Sequence, residues 1–449
     1  MFENLPDNWD VVKAGELANP GKYSCVGGPF GSNLVRQDYV EYPGVPVIRG
    51  GNLILGSRIF QDFDFVVVSE EKAASLQQNT AYPGDLVFMQ RGASIGQVSL
   101  IPKSAKFSRY VLSQNLMKLT PDPEKADVEF LCYYFLSPIA QELIQRHSVG
   151  STIPGFNLTQ LRDFPVHLPP LDEQKAIAHI LGTLDDKIEL NQQMNQTLEA
   201  IARALFKSWF IDFDPVRAKM DGRQPAGMDA ETAALFPDDF KDGGAIGKIP
   251  AGWRSGVLKD ISENPKRTIR PEQIPVGTPY VGLEHMPKRS IALSDWGVSD
   301  NVESNKFQFE NGDILFGKLR PYFHKVGVAI QNGVCSTDIL VIIPKCSEWF
   351  SLALAYVSSD GFVEYTNMSS DGTRMPRTNW QVMGQYPITI PSLEVAKAFN
   401  TEVSVIVQTI RSNIFQLKTL ASIRDTLLPK LLSGEICVKD AEKVVEAVV

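Results

Sequence analysis

Cysteine is scarce in this sequence and scattered where it occurs. Cys25, Cys132, Cys335, Cys346 and Cys437 form no C-x-x-C pair, which excludes a disulfide framework and points to a reduced compartment. Positive charge is not in excess either. Lys plus Arg number 44 against 52 Asp plus Glu, a net charge of −8, so any nucleic-acid contact has to come from local patches rather than a generally basic surface. No apolar run approaches the ~20 residues that span a bilayer; the densest stretch is Phe130 to Leu136. The opening MFENLPDNWD has no basic start followed by an apolar run, so no secretory leader is expected. The expectation is a soluble, cytoplasmic chain without membrane association.

Recognisable catalytic apparatus is also missing. The histidines His147, His167, His179, His285 and His324 have no second His, Cys or acid at metal-ligand spacing, so no metal is expected. There is no G-x-x-x-x-G-K-[ST] loop, no G-x-G-x-x-G opening a helix and no G-x-S-x-G elbow. G-P-F-G-S (28–32) matches neither phosphate cradle. The Asn-Pro pairs at 19–20 and 264–265 lack the aromatic residue that a base-flipping methyltransferase stacks on its target. Neither a catalytic residue nor a cofactor is expected in this chain.

What is present is a globular composition, 43% hydrophobic and 21% charged over 449 residues, enough for two to three domains. It is written twice. G-S-T-I-P-G-F-N around Pro154 answers G-T-R-M-P-R-T-N around Pro376, an offset of 222 positions that also relates Asn157 to Asn379, Pro165 to Pro387, Pro169 to Pro391 and Leu171 to Leu393. Upstream, P-G-D-L-V-F (83–88) answers N-G-D-I-L-F (311–316). I-G-Q-V-S-L-I (95–101) answers V-G-V-A-I (326–330), and S-Q-N-L-M-K-L-T-P (113–121) answers S-T-D-I-L-V-I-I-P (336–344). Trp9 and Trp253 open the two copies. The ordered landmarks mark a tandem duplication.

Each copy begins with short apolar runs punctuated by Gly, Pro, Asn and Asp, the pattern of short strands and turns, passes through a helical patch (128–145 and 348–362) and closes in a long helix. The first long helix is expected from about Asp172 to Ile211. Its seam, Ile177, Leu181, Leu184, Ile188, Asn191, Asn195, Leu198, Ala202, Leu205 and Trp209, steps by fours and threes as a heptad does. Shifted by 222, the same positions run from Phe399 through Asn413 to Leu431. The fold class expected is α+β: two mixed, strand-rich domains separated by two long helices packed as an antiparallel coiled coil. At 1.5 Å per residue, roughly 40 residues make a rod of about 60 Å. The pseudo-two-fold pairing would bring Asn191 to Asn413 and fix the register. The expected boundaries are 1–168, a central helix 169–212, a mostly irregular linker 213–250 rich in Asp, Gly, Pro and Ala, 251–390, a closing helix 391–434, and a short helical tail 435–449. Phe206, Phe210 and Phe415 are left either for partner contacts or for packing within the chain.

The frames of the copies agree while their polar loops differ. R-G-G-N (49–52) stands where G-L-E-H (282–285) stands, and Q-R-G-A-S (90–94) stands near G-K-L-R-P (317–321). Similar scaffolds with different polar loops look like two readers of different specificity, carrying side chains able to reach base edges and phosphates; taken singly, any of these residues is equally well a solvated turn.

The chain resembles the specificity (S) subunit of type I restriction-modification systems. W-D-V-V-K-A-G-E-L (9–17) and G-P-F-G-S-N-L (28–34) look like that family's domain opening. P-P-L-D-E-Q-K-A-I-A (169–178) with D-D-K-I-E-L-N (185–191) looks like its central helix, K-S-W-F-I-D-F-D-P-V-R-A-K (207–219) like a linker of one branch, and L-L-P-K-L-L-S-G-E-I (427–436) like its closing helix. The second helix departs from the pattern, starting S-L-E-V-A-K-A-F. The resemblance implies two target-recognition domains on double-stranded DNA, each reading half of a split asymmetric target. It further implies spacer helices that dock two methyltransferase (M) subunits using S-adenosylmethionine, and restriction (R) subunits driven by ATP and Mg. Half-sites one turn of B-DNA apart, about 34 Å, would lie on one face of the duplex. By the same analogy the DNA contacts are placed at Arg49, Asn52, Arg91, Ser94, Ser151, Thr152 and Asn157 in the first domain. In the second they are placed at Glu284, His285, Lys318, Arg320, Thr373, Arg374, Arg377 and Asn379. A duplicated scaffold or sugar-binding protein is the rival reading, and it predicts no salt-dependent affinity for DNA.

Overall fold

The computed structural model describes residues 6–54, 56–92, 94–147, 155–369 and 375–448. The chain divides into two compact units, Met1–Ile188 with Thr419–Val449, and Glu189–Lys418.

In the first unit, a four-stranded antiparallel sheet runs in the order Cys25–Gly27, Leu116–Leu119, Leu86–Met89, Val98–Leu100. A five-stranded sheet runs Tyr39–Val40, Val66–Val68, Val45–Ile48, Tyr110–Leu112, Thr80–Ala81. Val45–Ile48 and Tyr110–Leu112 are parallel, with Val47 opposite Val111. The central strand Leu86–Met89 is buried on both faces, which is why it reads as an unbroken Leu, Val, Phe and Met. The two-stranded ladder Asp10–Lys13 with Pro165–Leu168 closes the unit. Its core joins Trp9, Phe88, Met117, Phe130, Phe135 and Leu161 to Leu181, Leu184, Leu427 and Leu431 from the long helices.

The second unit repeats this plan except at one edge of the five-stranded sheet, where Thr268–Ile269 pairs with Lys306–Phe309 while Tyr39–Val40 of the first unit pairs with Val66–Val68. Its four-stranded sheet is Ser262–Glu263, Ile339–Pro344, Ile314–Gly317, Val326–Val328. Its five-stranded sheet again contains one parallel pair, Pro279–Val281 with Gly333–Cys335. The turn in P-G-D and N-G-D is the same in both. Gly84 (φ +96°) and Gly312 (φ +95°) take the left-handed conformation that glycine adopts without steric cost. Their N–H groups donate to Ile101 O and Ala329 O, both at 2.8 Å; Ile101 therefore answers Ala329, one position off the alignment with Ile330. The buried aspartate of each turn has a different cation, Lys118 at 2.7 Å from Asp85 and Arg267 at 3.1 Å from Asp313.

The two long helices are Leu171–Phe206, followed by a wider turn at Lys207–Ile211, and Leu393–Ser433. Within the first unit, Asp185 accepts from Arg424 Nη1 at 2.8 Å and from the Tyr133 hydroxyl at 2.8 Å, while Arg58 Nε stands 3.5 Å away. Within the second unit, Asn413 donates to Asn195 Oδ1 at 2.8 Å and Asn191 donates to Gln416 Oε1 at 3.1 Å. As the first helix advances the second recedes, so the pairing is antiparallel. Asn191 and Asn413, expected to come together, each bond to another residue of the facing helix, because facing positions fall one turn from where equal offsets put them.

The segment 213–250 is not the irregular linker expected. It holds helices Asp214–Met220 and Ala230–Ala234 and a hairpin, Phe240–Asp242 with Lys248–Pro250. Phe213, Val216, Phe236 and Ile249 are buried, the first three in the core around Trp253. Phe206 and Phe210 pack internally, Phe206 on Tyr356 and Phe210 on Phe399 at ring separations of 4.9 and 4.8 Å. Phe415 remains 41% exposed. The tail contains the helix Val438–Glu446. Among the described residues, no helix is long and apolar enough to cross a membrane.

Candidate nucleic-acid interface

In both domains the strand that follows the P-G-D or N-G-D turn ends in a loop clamped by two other segments. Gln90 N donates to Asn115 O (2.7 Å) and Gln90 O accepts from Phe156 N (2.9 Å). In the second domain Lys318 N donates to Asp338 O (2.9 Å) and Lys318 O accepts from Thr378 N (3.1 Å). Single bridges extend the match, Arg91 with Gly155 and Leu319 with Arg377. One backbone frame thus carries Gln90, Arg91, Asn115 and Gly155 in the first domain and Lys318, Leu319, Asp338 and Arg377 in the second.

In the first domain this frame opens on a cleft of about 500 Å3, lined by Arg49, Arg91, Ser94, Ser113, Gln114 and Asn115 with Leu34, Tyr39 and Met89. Among the described residues no carboxylate lines it. Arg91 and Asn115 are exposed, and among the described residues no side-chain partner holds either. Arg49 Nη2 donates to Asp64 O at 3.1 Å, leaving the rest of its fork available. A cation without a carboxylate partner in a polar cleft suits a phosphate or a base edge.

The second domain brings together Lys318, Arg320, Arg377 and Asp338. Arg377 Nη2 lies 3.5 Å from Asp338 Oδ1, the arginine more than half exposed. Arg320 sits in the left-handed region (φ +51°), and its N–H donates to Pro376 O at 2.8 Å. Its buried Nε has no hydrogen-bond partner among the described residues.

Four of the expected readers hold the local backbone. Asn52 is buried; its Oδ1 accepts from Arg49 N (2.9 Å) and its Nδ2 donates to Gln61 O and Phe63 O. His285 does the same at the equivalent turn, its Nδ1 accepting from Gly282 N at 2.9 Å, which requires the neutral ring with its proton on Nε2. Asn157 and Asn379 cap the helices Leu158–Arg162 and Trp380–Met383, accepting from Gln160 N and Val382 N. Such caps satisfy a helix end and occupy the side-chain oxygen. Glu284 is exposed beside His285. Ser151, Thr152, Thr373 and Arg374 lie outside the described residues.

Sequence reasoning passed over Ser113, Gln114 and Asn115 with their counterpart Asp338, although S-Q-N and S-T-D had marked the repeat. Their side chains at the frame's third corner were the available signal. Among the described residues no group of three or more His, Cys, Asp or Glu is placed to hold a metal.

Residues 6–200 match the family described as type I restriction modification DNA specificity domain. The HindI type I restriction enzyme specificity subunit of Haemophilus influenzae is 27% identical, the alignment covering 91% of this chain and 98% of that one. The MjaIX specificity subunit of Methanocaldococcus jannaschii is 25% identical, over 97% and 95%. Among solved structures, the type I S subunit from M. genitalium, 16% identical over 96% of each chain, has a TM-score of 0.56 and shares the fold. With two strand-rich domains and two long helices built on one duplicated plan, the chain is similar along nearly its whole length to the specificity subunits of type I restriction-modification systems, and its residues 6–200 match their DNA specificity domain.

Proposed function

We propose that each domain reads one half of a bipartite, asymmetric DNA target, and that the long helices set the spacing and dock two methyltransferase subunits. Methylation with S-adenosylmethionine and ATP- and Mg-dependent cleavage then belong to the partner M and R subunits, and this chain supplies selection of the site. One observation carries the reading. The same hydrogen-bonded frame presents Gln90, Asn115 and Gly155 in one domain and Lys318, Asp338 and Arg377 in the other. Identical frames with exchanged polar side chains are what two half-sites of different sequence call for, since base edges are told apart by donor and acceptor pattern.

The test is genome-wide mapping of methylated bases with and without the gene, in cells that express the methyltransferase subunit. Loss of methylation at one split motif is expected; an unchanged map overturns the proposal. Variants then assign the halves. Arg377→Ala in the assembled complex should cost ~1–3 kcal/mol and relax one position of one half, as loss of a bidentate guanine contact does. A uniform loss over all single-base variants of the target, with a smaller salt slope, would instead place Arg377 on a phosphate.

A further inference from the structure

The G-P-F-G-S loop holds the most exposed aromatic ring among the described residues of the first domain, Phe30, 87% exposed. A single exposed apolar residue needs no explanation by itself; the construction around this one does. Gly28 lies so close to the neighbouring strand that a Cβ there would come within 1.9 Å of Ser113 O, and its N–H donates to Leu116 O at 2.7 Å. Pro29 restricts the backbone before the ring. Gly31 after it takes φ +59°, a conformation that glycine adopts without penalty. The Gln114 side-chain amide then donates to both Gly31 O and Leu34 O, and Leu34 is buried. The loop is tied down on both sides of a ring that is left in solvent.

The loop also forms a wall of the cationic cleft, because Leu34 and Gln114 line it together with Arg49 and Arg91. The equivalent loop of the second domain carries no aromatic ring. After its equivalent strand Ser262–Glu263 the chain continues Asn264-Pro265-Lys266-Arg267, and Arg267 turns inward to Asp313 and Glu310. An exposed aromatic ring on a tethered loop, whose end at Leu34 lines a cleft that holds Arg49 and Arg91 and no carboxylate among the described residues, matches the surface of proteins that push an apolar side chain between base steps while cations hold the phosphates.

Building on the proposed DNA reading, we propose that Phe30 is a wedge that stacks on a base step of the half-site bound by the first domain. The second half-site is then bound without a wedge.

The experiment uses the complex with its methyltransferase subunits and duplexes carrying the mapped target. 2-Aminopurine is placed singly at each step of the first half-site except at the base that is methylated. Phe30→Ala should weaken binding roughly ten- to a hundredfold with an unchanged salt slope, since no charge is removed. The fluorescence rise seen at one step with the wild type should disappear, and Phe30→Trp should keep both affinity and signal. With its ring in solvent, Phe30 can be truncated without a folding penalty, and unchanged unfolding curves verify this. Affinity within twofold of wild type overturns the wedge. So does a loss that accompanies failure to co-purify with the methyltransferase subunit, which would make Phe30 a protein-docking residue. A wild-type complex without salt-dependent DNA affinity refutes the DNA reading itself and the wedge with it.

Discussion

Asn413 donates its side-chain amide to Asn195 at 2.8 Å in the seam between the long helices. The offset of 222 carries Asn191 onto Asn413 but Asn195 onto Leu417. A perfectly symmetric seam would therefore set Asn191 against a leucine, which has no acceptor. Gln416, one residue earlier, supplies it at 3.1 Å.

Both asparagines of the first bond are buried, so removing one partner strands the other. Asn413→Leu alone should destabilise the chain by ~1–3 kcal/mol, whereas the double variant Asn195→Leu/Asn413→Leu should be near neutral. Urea unfolding of both variants checks this; equal penalties would show that the pair does not act as a unit. If the bond also fixes register, the complex assembled on the double variant should methylate targets with mixed spacer lengths.

Asp185 gathers Arg424, Tyr133 and Arg58 around a carboxylate whose side chain is 11% exposed. Asp185→Ala leaves two guanidinium groups without their buried counterion and should cost ~3–5 kcal/mol. Asp425→Ala, which removes an exposed contact of the same Arg424, should cost less than ~1 kcal/mol. Comparable losses for the two would refute the central place of Asp185.

Burial pushes the Glu199 carboxyl above its ordinary value of 4.5, against the opposing pull of Ser290, Arg203 and the Ile291 N–H. A carboxyl raised in the folded state contributes stability that is present below its unfolded pKa and lost as pH rises through the folded one. Glu199→Gln keeps an oxygen to accept from Ser290 and stays neutral. Its stability relative to wild type should therefore increase between pH 5 and pH 8. Denaturant midpoints at both pH values test this, and a constant difference would contradict it.

The architecture was legible because the duplication repeats backbone-determining residues. Gly84 and Gly312 recur where a left-handed turn is needed, and the apolar strands recur between them. The helix seam was legible from its heptad, and Leu181, Leu184, Ile410 and Leu420 are all buried as that spacing requires. The partner of Asn191 was not, since it depends on how two helices slide past each other and not on either alone. The segment 213–250 was misread because Phe213, Phe236 and Phe240 follow no period among its Gly, Pro and Asp; Phe236 packs on Trp209, Phe213 on Trp253 and Phe240 on Phe213. At the interface, polarity in a loop did not separate readers from builders. Asn157 had a distinguishing mark, Gln160 three residues on, the reciprocal cap at a helix start. Asn52 had none, as its carbonyl partners are 9 and 11 residues away.

The unequal seam has a consequence for the two halves taken apart. If two copies of the closing helix paired with each other in the same register, Asn413 would face Leu417, and Arg424 would face Val407 in place of Asp185. Two copies of the central helix would set Asp185 against Ala202. Each homotypic pairing buries a polar or charged group without its partner, a cost of several kcal/mol where a charge is stranded, while the heterotypic pairing satisfies them all. The seam therefore favours pairing of the two unlike halves over pairing of like ones. A chain cut in the exposed stretch 221–224 should reassemble from its two unlike fragments, and neither fragment should serve as a substitute for the other.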